Sequence, residues 1–184
     1  MFKVIIFLLF FSFYIPANSS QKDKVISQMK LTNNLSFNFV QTINDKSEDG
    51  KCIVEYPKKI FCEYNKTNKK RLISNGKSLV IKTNNKGSYY HYPLNKTPLE
   101  FLLDKEYLIS KIKNLEPREI DNDYLNFKIF ENNNVINIFF DKKDFNLIGW
   151  QTEDIYQNLT ITFISSVKIN QKIDNKIFIL PMND

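Results

Sequence analysis

The chain has 184 residues, a quarter of them charged, and a formal net charge of +6. That length suits one domain with a real core. Lysines are scattered among Asp and Glu instead of forming one basic run, which excludes the footprint of a nucleic-acid binder and leaves a surface compatible with anionic headgroups or acidic partners.

Met1-Phe2-Lys3 forms a short positive start, Val4 to Ile15 is almost wholly apolar, and Ala17 and Ser19 are small residues in an A-x-A-like arrangement. This is the layout of a secretory signal peptide over residues 1–19, cleaved near Ser19–Ser20. A membrane anchor is the alternative, but the apolar run is shorter than the roughly 20 residues a spanning helix needs. Removing the segment removes one charge, Lys3, so the net charge of +6 becomes +5. The mature chain, 20–184, is then secreted or periplasmic, where disulfides are permitted.

In Gln21 to Asn34, Val25, Ile26 and Met29 make one apolar stripe, the mark of a short amphipathic helix. The period then falls to two: Leu35, Phe37, Phe39 and Ile43 alternate with polar residues. Strand-like runs recur at 51–56, 60–64, 70–74, 78–83, 88–92, 124–131, 135–141, 147–154, 159–168 and 177–180, the rhythm of an all-β fold. Asp49-Gly50, Asn75-Gly76, Lys86-Gly87 and Asn132-Asn133-Asn134 read as the turns between them. One segment breaks the pattern. Thr97-Pro98-Leu99-Glu100 has the form of a capping box with proline at the first helical position, and Phe101, Leu102 and Leu103 follow.

The two cysteines of the chain, Cys52 and Cys62, flank Tyr56-Pro57-Lys58-Lys59. A turn centred on Pro57 sets them opposite each other on one face with Val54, Tyr56, Ile60 and Tyr64, which favours a disulfide clamping a hairpin with that face inward. Two buried free thiols are the alternative. The spacing is not C-x-x-C, which argues against a redox pair. Enzymatic signatures are lacking: there is no G-x-S-x-G, no metal-spaced His/Cys set and no Gly-rich phosphate loop. The single histidine, His91, sits in a tyrosine-rich run and reads as a rim residue. No enzyme activity, metal or cofactor is expected.

Several pieces in order resemble the LolA family of periplasmic lipoprotein carriers. They are the leading helix, Phe37-x-Phe39-x-Gln41, Gly50, the Pro57 turn, Phe61-Cys62-Glu63-Tyr64, the run Leu72 to Ile81, Thr97 to Leu103, and Asp154 to Phe163. The resemblance implies a mainly β fold, a curved antiparallel sheet forming a half-open barrel closed by short helices. It implies a cavity for acyl chains lined by Leu35, Phe37, Phe39, Ile60, Tyr64, Leu79, Ile81, Phe127, Trp150, Ile161 and Phe163. A lid would be made of Leu99, Phe101, Leu102 and Leu103. Where the family often carries a lid-closing arginine before the turn proline, this chain has Tyr56, so that latch and hand-over position is altered. The family's aromatic residue in the strand after Gly76 is likewise weakened, to Val80 and Lys82. The implied partners are triacylated lipoproteins, the inner-membrane lipoprotein-releasing ABC transporter and, where one exists, an outer-membrane acceptor, with the carrier a monomer. A sensing module of the same architecture, binding lipid or peptide, is the alternative from another class.

Overall fold

The structure is a computed structural model that describes residues 19–65, 69–83, 89–131, 134–154 and 157–181. The signal segment, Lys86-Gly87 and Asn132-Asn133 lie outside these residues. Helix α1 (Gln21–Leu31) starts at Ser20, whose side chain and that of Asp23 cap each other's backbone N–H groups, and it buries Val25, Ile26 and Met29. Six strands follow: β1 (Asn34–Ile43), β2 (Lys46–Glu55), β3 (Lys59–Tyr64), β4 (Arg71–Asn75), β5 (Ser78–Lys82) and β6 (Tyr89–Pro93). A 3-10 turn (Leu94–Lys96), α2 (Leu99–Leu102) and α3 (Lys105–Ile112) lead to β7 (Arg118–Ile120), β8 (Tyr124–Glu131), β9 (Asn134–Asp141), β10 (Leu147–Glu153) and β11 (Leu159–Ile169).

All eleven strands form one antiparallel sheet in the order β6-β5-β4-β3-β2-β1-β11-β10-β9-β8-β7, which does not close into a barrel. It is two meanders joined where the first strand pairs with the last. The three helices lie on one face, the inner one, in the connection between the meanders and before the first of them. They divide the interior in two. Under α1 and α3 the space is solid: Leu108, Ile109 and Ile112 meet Leu125, Phe127 and Ile138 of β8 and β9. Under α2, the inner residues of β1–β5 form a second cluster around Phe37, Phe39, Cys52, Ile60 and Leu103. Trp150 touches both and stands edge-on to Phe37, ring centroids 6.2 Å apart.

The hairpin centred on Pro57 forms in the expected register. Cys52 opposes Cys62 and the two are joined, with Cα atoms 4.1 Å apart. Their face turns inward. The Tyr56–Pro57 peptide is cis, and Lys58 completes the turn with φ +67°.

Four expectations change. Asp49-Gly50 is not a turn. The β1–β2 hairpin turns at Asn44 and Asp45, whose φ angles of 45° and 63° are those of a tight turn matched to strand twist. Gly50 lies inside β2 because the Phe39 ring rests on it: a Cβ there would fall 2.8 Å from that ring and overlap the Glu63 carbonyl oxygen. The capping box at Thr97 does not form, since the Thr97 hydroxyl donates back to the Leu94 carbonyl and Glu100 is engaged elsewhere. The expected strand at 177–180 is a 3-10 turn, Asn175–Phe178, lying against β3 and β4. The segment crosses β3 and β4 without pairing and buries Phe178 there. Finally, β7 was not foreseen; three residues at a sheet edge carry no readable period.

Replacing Gly50 with alanine should cost roughly 1–3 kcal/mol through overpacking, seen as a lower urea midpoint with an unchanged slope. An unaltered midpoint would mean that Phe39 does not rest on the β2 backbone.

Candidate functional site

The half of the interior under α2 is not filled. A cavity of about 250 Å³ remains there, just below the roughly 300–1,000 Å³ of typical small-molecule sites. Its floor is Phe39, Ile60, Leu72 and the Cys52–Cys62 disulfide. Leu79, Ile81 and Tyr92 form one side, and Pro98, Leu99 and Leu102 form the roof. The other side is Trp150, Gln41, Thr152, Thr160 and Thr162. Ile43, Tyr64, Lys70, Glu153 and Asp154 lie where several strands start or stop at one end of the sheet, and form the charged end of the hollow.

Of the expected cavity residues, Phe39, Ile60, Tyr64, Leu79, Ile81 and Trp150 line this space. Leu35 and Phe37 lie deeper, around a void of about 20 Å³ beneath α2. Phe127 is fully buried in the solid half, because α1 and α3 cover it. Ile161 and Phe163 face the other way. Phe39 pairs with Ile164 and Gln41 with Thr162, and directly paired residues share a face. With Phe39 inside, Thr160, Thr162 and Ile164 must be inside too. Phe163 is 57% exposed on the outer face, beside its partner Val40.

Among the lid residues, Leu99 and Leu102 face the cavity, and Leu103 is buried beneath them. Phe101 turns away and packs on Tyr107 of α3, ring centroids 5.0 Å apart. Helix α2 is held by a residue not singled out in the sequence. Lys58, at the tip of the Pro57 hairpin, donates its backbone N–H to the Leu103 carbonyl at 2.7 Å. Its ammonium lies 2.6 Å from Glu100 Oε1 and 3.3 Å from Asp104 Oδ2. Asp104 also caps α3 by accepting from the Tyr107 N–H. The hydrogen bond to Glu100 is the main cause holding the Lys58 pKa above its ordinary 10.5, with burial acting the other way and Asp104 adding to the rise. Tyr56 is adjacent: its ring lies under the Lys105 ammonium at 5.9 Å, and burial pushes its hydroxyl up to about 12. A lysine that latches the hairpin tip to the end of α2 therefore lies two residues beyond Tyr56. The i, i+4 carboxylates Glu100 and Asp104, opposite a lysine in the turn, were the signal for it.

At the charged end, Lys70 pairs with Glu48 and its ammonium sits 3.8 Å from the centroid of the Tyr64 ring. Burial, and then the Glu48 charge, raise the Tyr64 pKa, so its hydroxyl stays protonated and donates to Gln41 Oε1 at 3.3 Å. Gln41 Nε2 in turn donates to Thr162 Oγ1 at 3.1 Å.

An open sheet whose inner face is half core and half roofed hollow is the build of a binding protein. The family model of the outer membrane lipoprotein carrier protein LolA matches residues 30–180, and the chain belongs to that family. No curated protein matches the chain. Solved structures resemble the chain at low identity. A LolA superfamily protein from Nitrosomonas europaea is 8% identical with a TM-score of 0.49, over 88% of this chain and 99% of that one. A putative outer membrane lipoprotein-sorting protein domain from Vibrio parahaemolyticus is 6% identical with a TM-score of 0.49, over 86% and 94%. MucB is 7% identical with a TM-score of 0.50, over 90% of this chain and 65% of its own.

Lys58→Met should lower stability by about 1 kcal/mol near neutral pH, the size of a half-exposed ion pair. Because the folded-state pKa is raised, the latch contributes fully below the ordinary lysine pKa and is lost as pH rises through the folded value. Wild type and variant should therefore differ in unfolding midpoint at pH 7 and converge in strong alkali. Parallel curves up to pH 12 would remove the ammonium from the latch.

Proposed function

We propose that this protein is a periplasmic carrier that takes lipoproteins released from the inner membrane, shields their acyl chains under α2 and delivers them towards the outer membrane. The observation carrying this reading is the hollow itself. Beside a close-packed core under α1 and α3, the same inner face leaves about 250 Å³ with apolar side chains on its floor, roof and one side. A chain of this size does not leave such a space for stability's sake, since interiors otherwise pack to crystal density.

The roof suits release as well as capture. Each buried methylene contributes about 0.8 kcal/mol, so a few acyl chains alone would bind too tightly to be handed on. Incoming chains must displace Leu99 and Leu102 and strain the Lys58 ties, which offsets part of that gain. Helix α2 has four residues and no side-chain cap at its start, so little intrinsic helicity resists the change. The family membership supports the ABC transporter of the inner membrane as donor. No helix among the described residues is long and apolar enough to cross a membrane.

Trp150, the chain's sole tryptophan, lines the cavity and reports on it. Protein purified from periplasm should carry acylated species detectable by mass spectrometry, and delipidated protein should change its Trp150 emission on adding a diacylglyceryl lipopeptide. A lipid-free preparation with unresponsive emission would overturn the carrier reading. Leu102→Ser removes a roof contact that the acyl chain must displace, so it should lengthen retention of a lipopeptide by roughly an order of magnitude, the scale of one lost leucine contact. Dissociation followed through Trp150 checks this.

A further inference from the structure

One wall of this greasy hollow is polar, and it is polar against the local preference of the sequence. In β11, Leu159, Ile161 and Phe163 alternate with Thr160 and Thr162. Ordinary burial would turn the apolar set inward. The structure does the reverse: Thr160 is 8% and Thr162 2% exposed, facing the hollow, while Phe163 is 57% exposed outside. Thr152 of β10 lies directly opposite Thr160 and is also buried. Local rules that fail consistently at one place mark function more often than accident.

The hydrogen bonds of this wall leave donors over. The Thr152 hydroxyl donates to the Glu153 carbonyl at 2.7 Å, and that of Thr160 to the Asn158 carbonyl at 3.4 Å. Thr162 differs, because its oxygen accepts from Gln41 Nε2. No described acceptor takes the Thr162 hydroxyl hydrogen or the second Gln41 amide hydrogen. Gln41 cannot swing away, because its oxygen is held by the Tyr64 hydroxyl. Two neighbouring donors are thus held in the polar wall of an otherwise apolar cavity, each with one hydrogen to give, and an acyl carbonyl oxygen has the lone pairs to accept both.

Resting on the carrier reading above, we propose that Gln41 and Thr162 form a carbonyl-binding subsite that recognises the ester or amide linkage of an acyl chain. Hydrocarbon runs from there along Ile60, Leu79 and Leu99 towards the latch. The polar part of the ligand points to the Lys70 end. There Glu153 and Asp154 face it, so a bare fatty-acid carboxylate fits less well than a neutral acyl linkage. The subsite selects the linkage, not the tail.

Ester and ether lipids of equal chain length separate these contributions, since they differ only in the carbonyls. Binding of dioctanoyl phosphatidylcholine and its dioctyl ether analogue is measured through Trp150 emission. The pair is repeated with a diacylglyceryl-cysteine lipopeptide and its dialkyl counterpart, so that phospholipid and lipoprotein sources are told apart. The wild type should prefer ester over ether by about five- to tenfold in whichever source is the ligand, the worth of one or two hydrogen bonds. Thr162→Val and Gln41→Leu should lose the preference while still binding the ether, and Thr162→Ser should keep it. Retained ether binding shows that the variants are folded. Equal binding of ester and ether by the wild type in both pairs overturns the subsite and leaves the carrier reading standing. Failure to bind any of the four lipids overturns both.

Discussion

The pairing of β1 with β11 governs the rest of the molecule. It ties the two meanders into one sheet and makes their inner faces agree. Once Phe39 lies beside Ile164 and Gln41 beside Thr162, the parity of every strand on both sides is set through its neighbours, because a shift of one residue would exchange the faces. The pairing also imposes a bulge. The register jumps between Ser36 and Asn38, where Ser166 takes φ +53° on the opposite strand. Beyond it the inward residues of β11 change from even to odd numbers, so Val167 and Ile169 join the cluster around Leu35. One strand thus presents hydroxyls to the hollow at one end and aliphatic side chains to the solid interior at the other.

This explains what could be read in advance. The helix at Gln21, the alternation of Leu35, Phe37 and Phe39, and the Cys52–Cys62 hairpin are local, and each was legible from spacing alone. The extent of the sheet was legible too, through its rhythm of short strands and through the family resemblance. The inner face of β11 was not. Its alternation of threonine with isoleucine and phenylalanine points to the wrong side, and only a partner strand more than a hundred residues away decides it. Phe127 illustrates a different limit. Its parity was right, but whether an inward side chain meets helix or empty space depends on where α1 and α3 lie. The Lys58 latch joins a hairpin tip to a helix some forty residues on; the i, i+4 pair Glu100 and Asp104 calls for a cation, but no period in the chain says which lysine supplies it.

A hollow also weakens the wall around it. Side chains at Leu79 or Ile81 have no tightly packed partner across the cavity, and that lost packing must be offset within the wall. The disulfide lies where this matters. Cys52 and Cys62 are themselves cavity-lining residues on the floor, at the middle of the β2–β3 hairpin whose tip carries Lys58. In the chain-entropy model, closing so short a loop contributes roughly 2.5–3 kcal/mol. That is comparable with burying a large side chain, and it occupies none of the space a ligand needs. The outer face adds a second brace, where Phe178 of the terminal segment is buried against β3 and β4 and the Tyr89 hydroxyl donates to the Pro181 carbonyl. Covalent linkage inside and a packed tail outside hold the thin part of the sheet.

The same division separates what must stay rigid from what must move. The floor and the polar wall belong to strands paired on both sides, β1, β2, β3, β4, β10 and β11, and their side chains are fixed by register. The roof is a four-residue helix held by one backbone hydrogen bond and one cluster of charges to the tip of a hairpin. Local opening therefore costs least at the roof, where few ladder hydrogen bonds must break. A ligand that displaces Leu99 and Leu102 acts on the Lys58 ties without disturbing Gln41 or Thr162. In the proposed reading, entry and recognition are then independent: the first is set by how firmly the roof is latched, the second by the two donors in the wall. The proposed carrier role calls for that independence, because such a protein opens for every cargo and yet holds only molecules that present an acyl linkage.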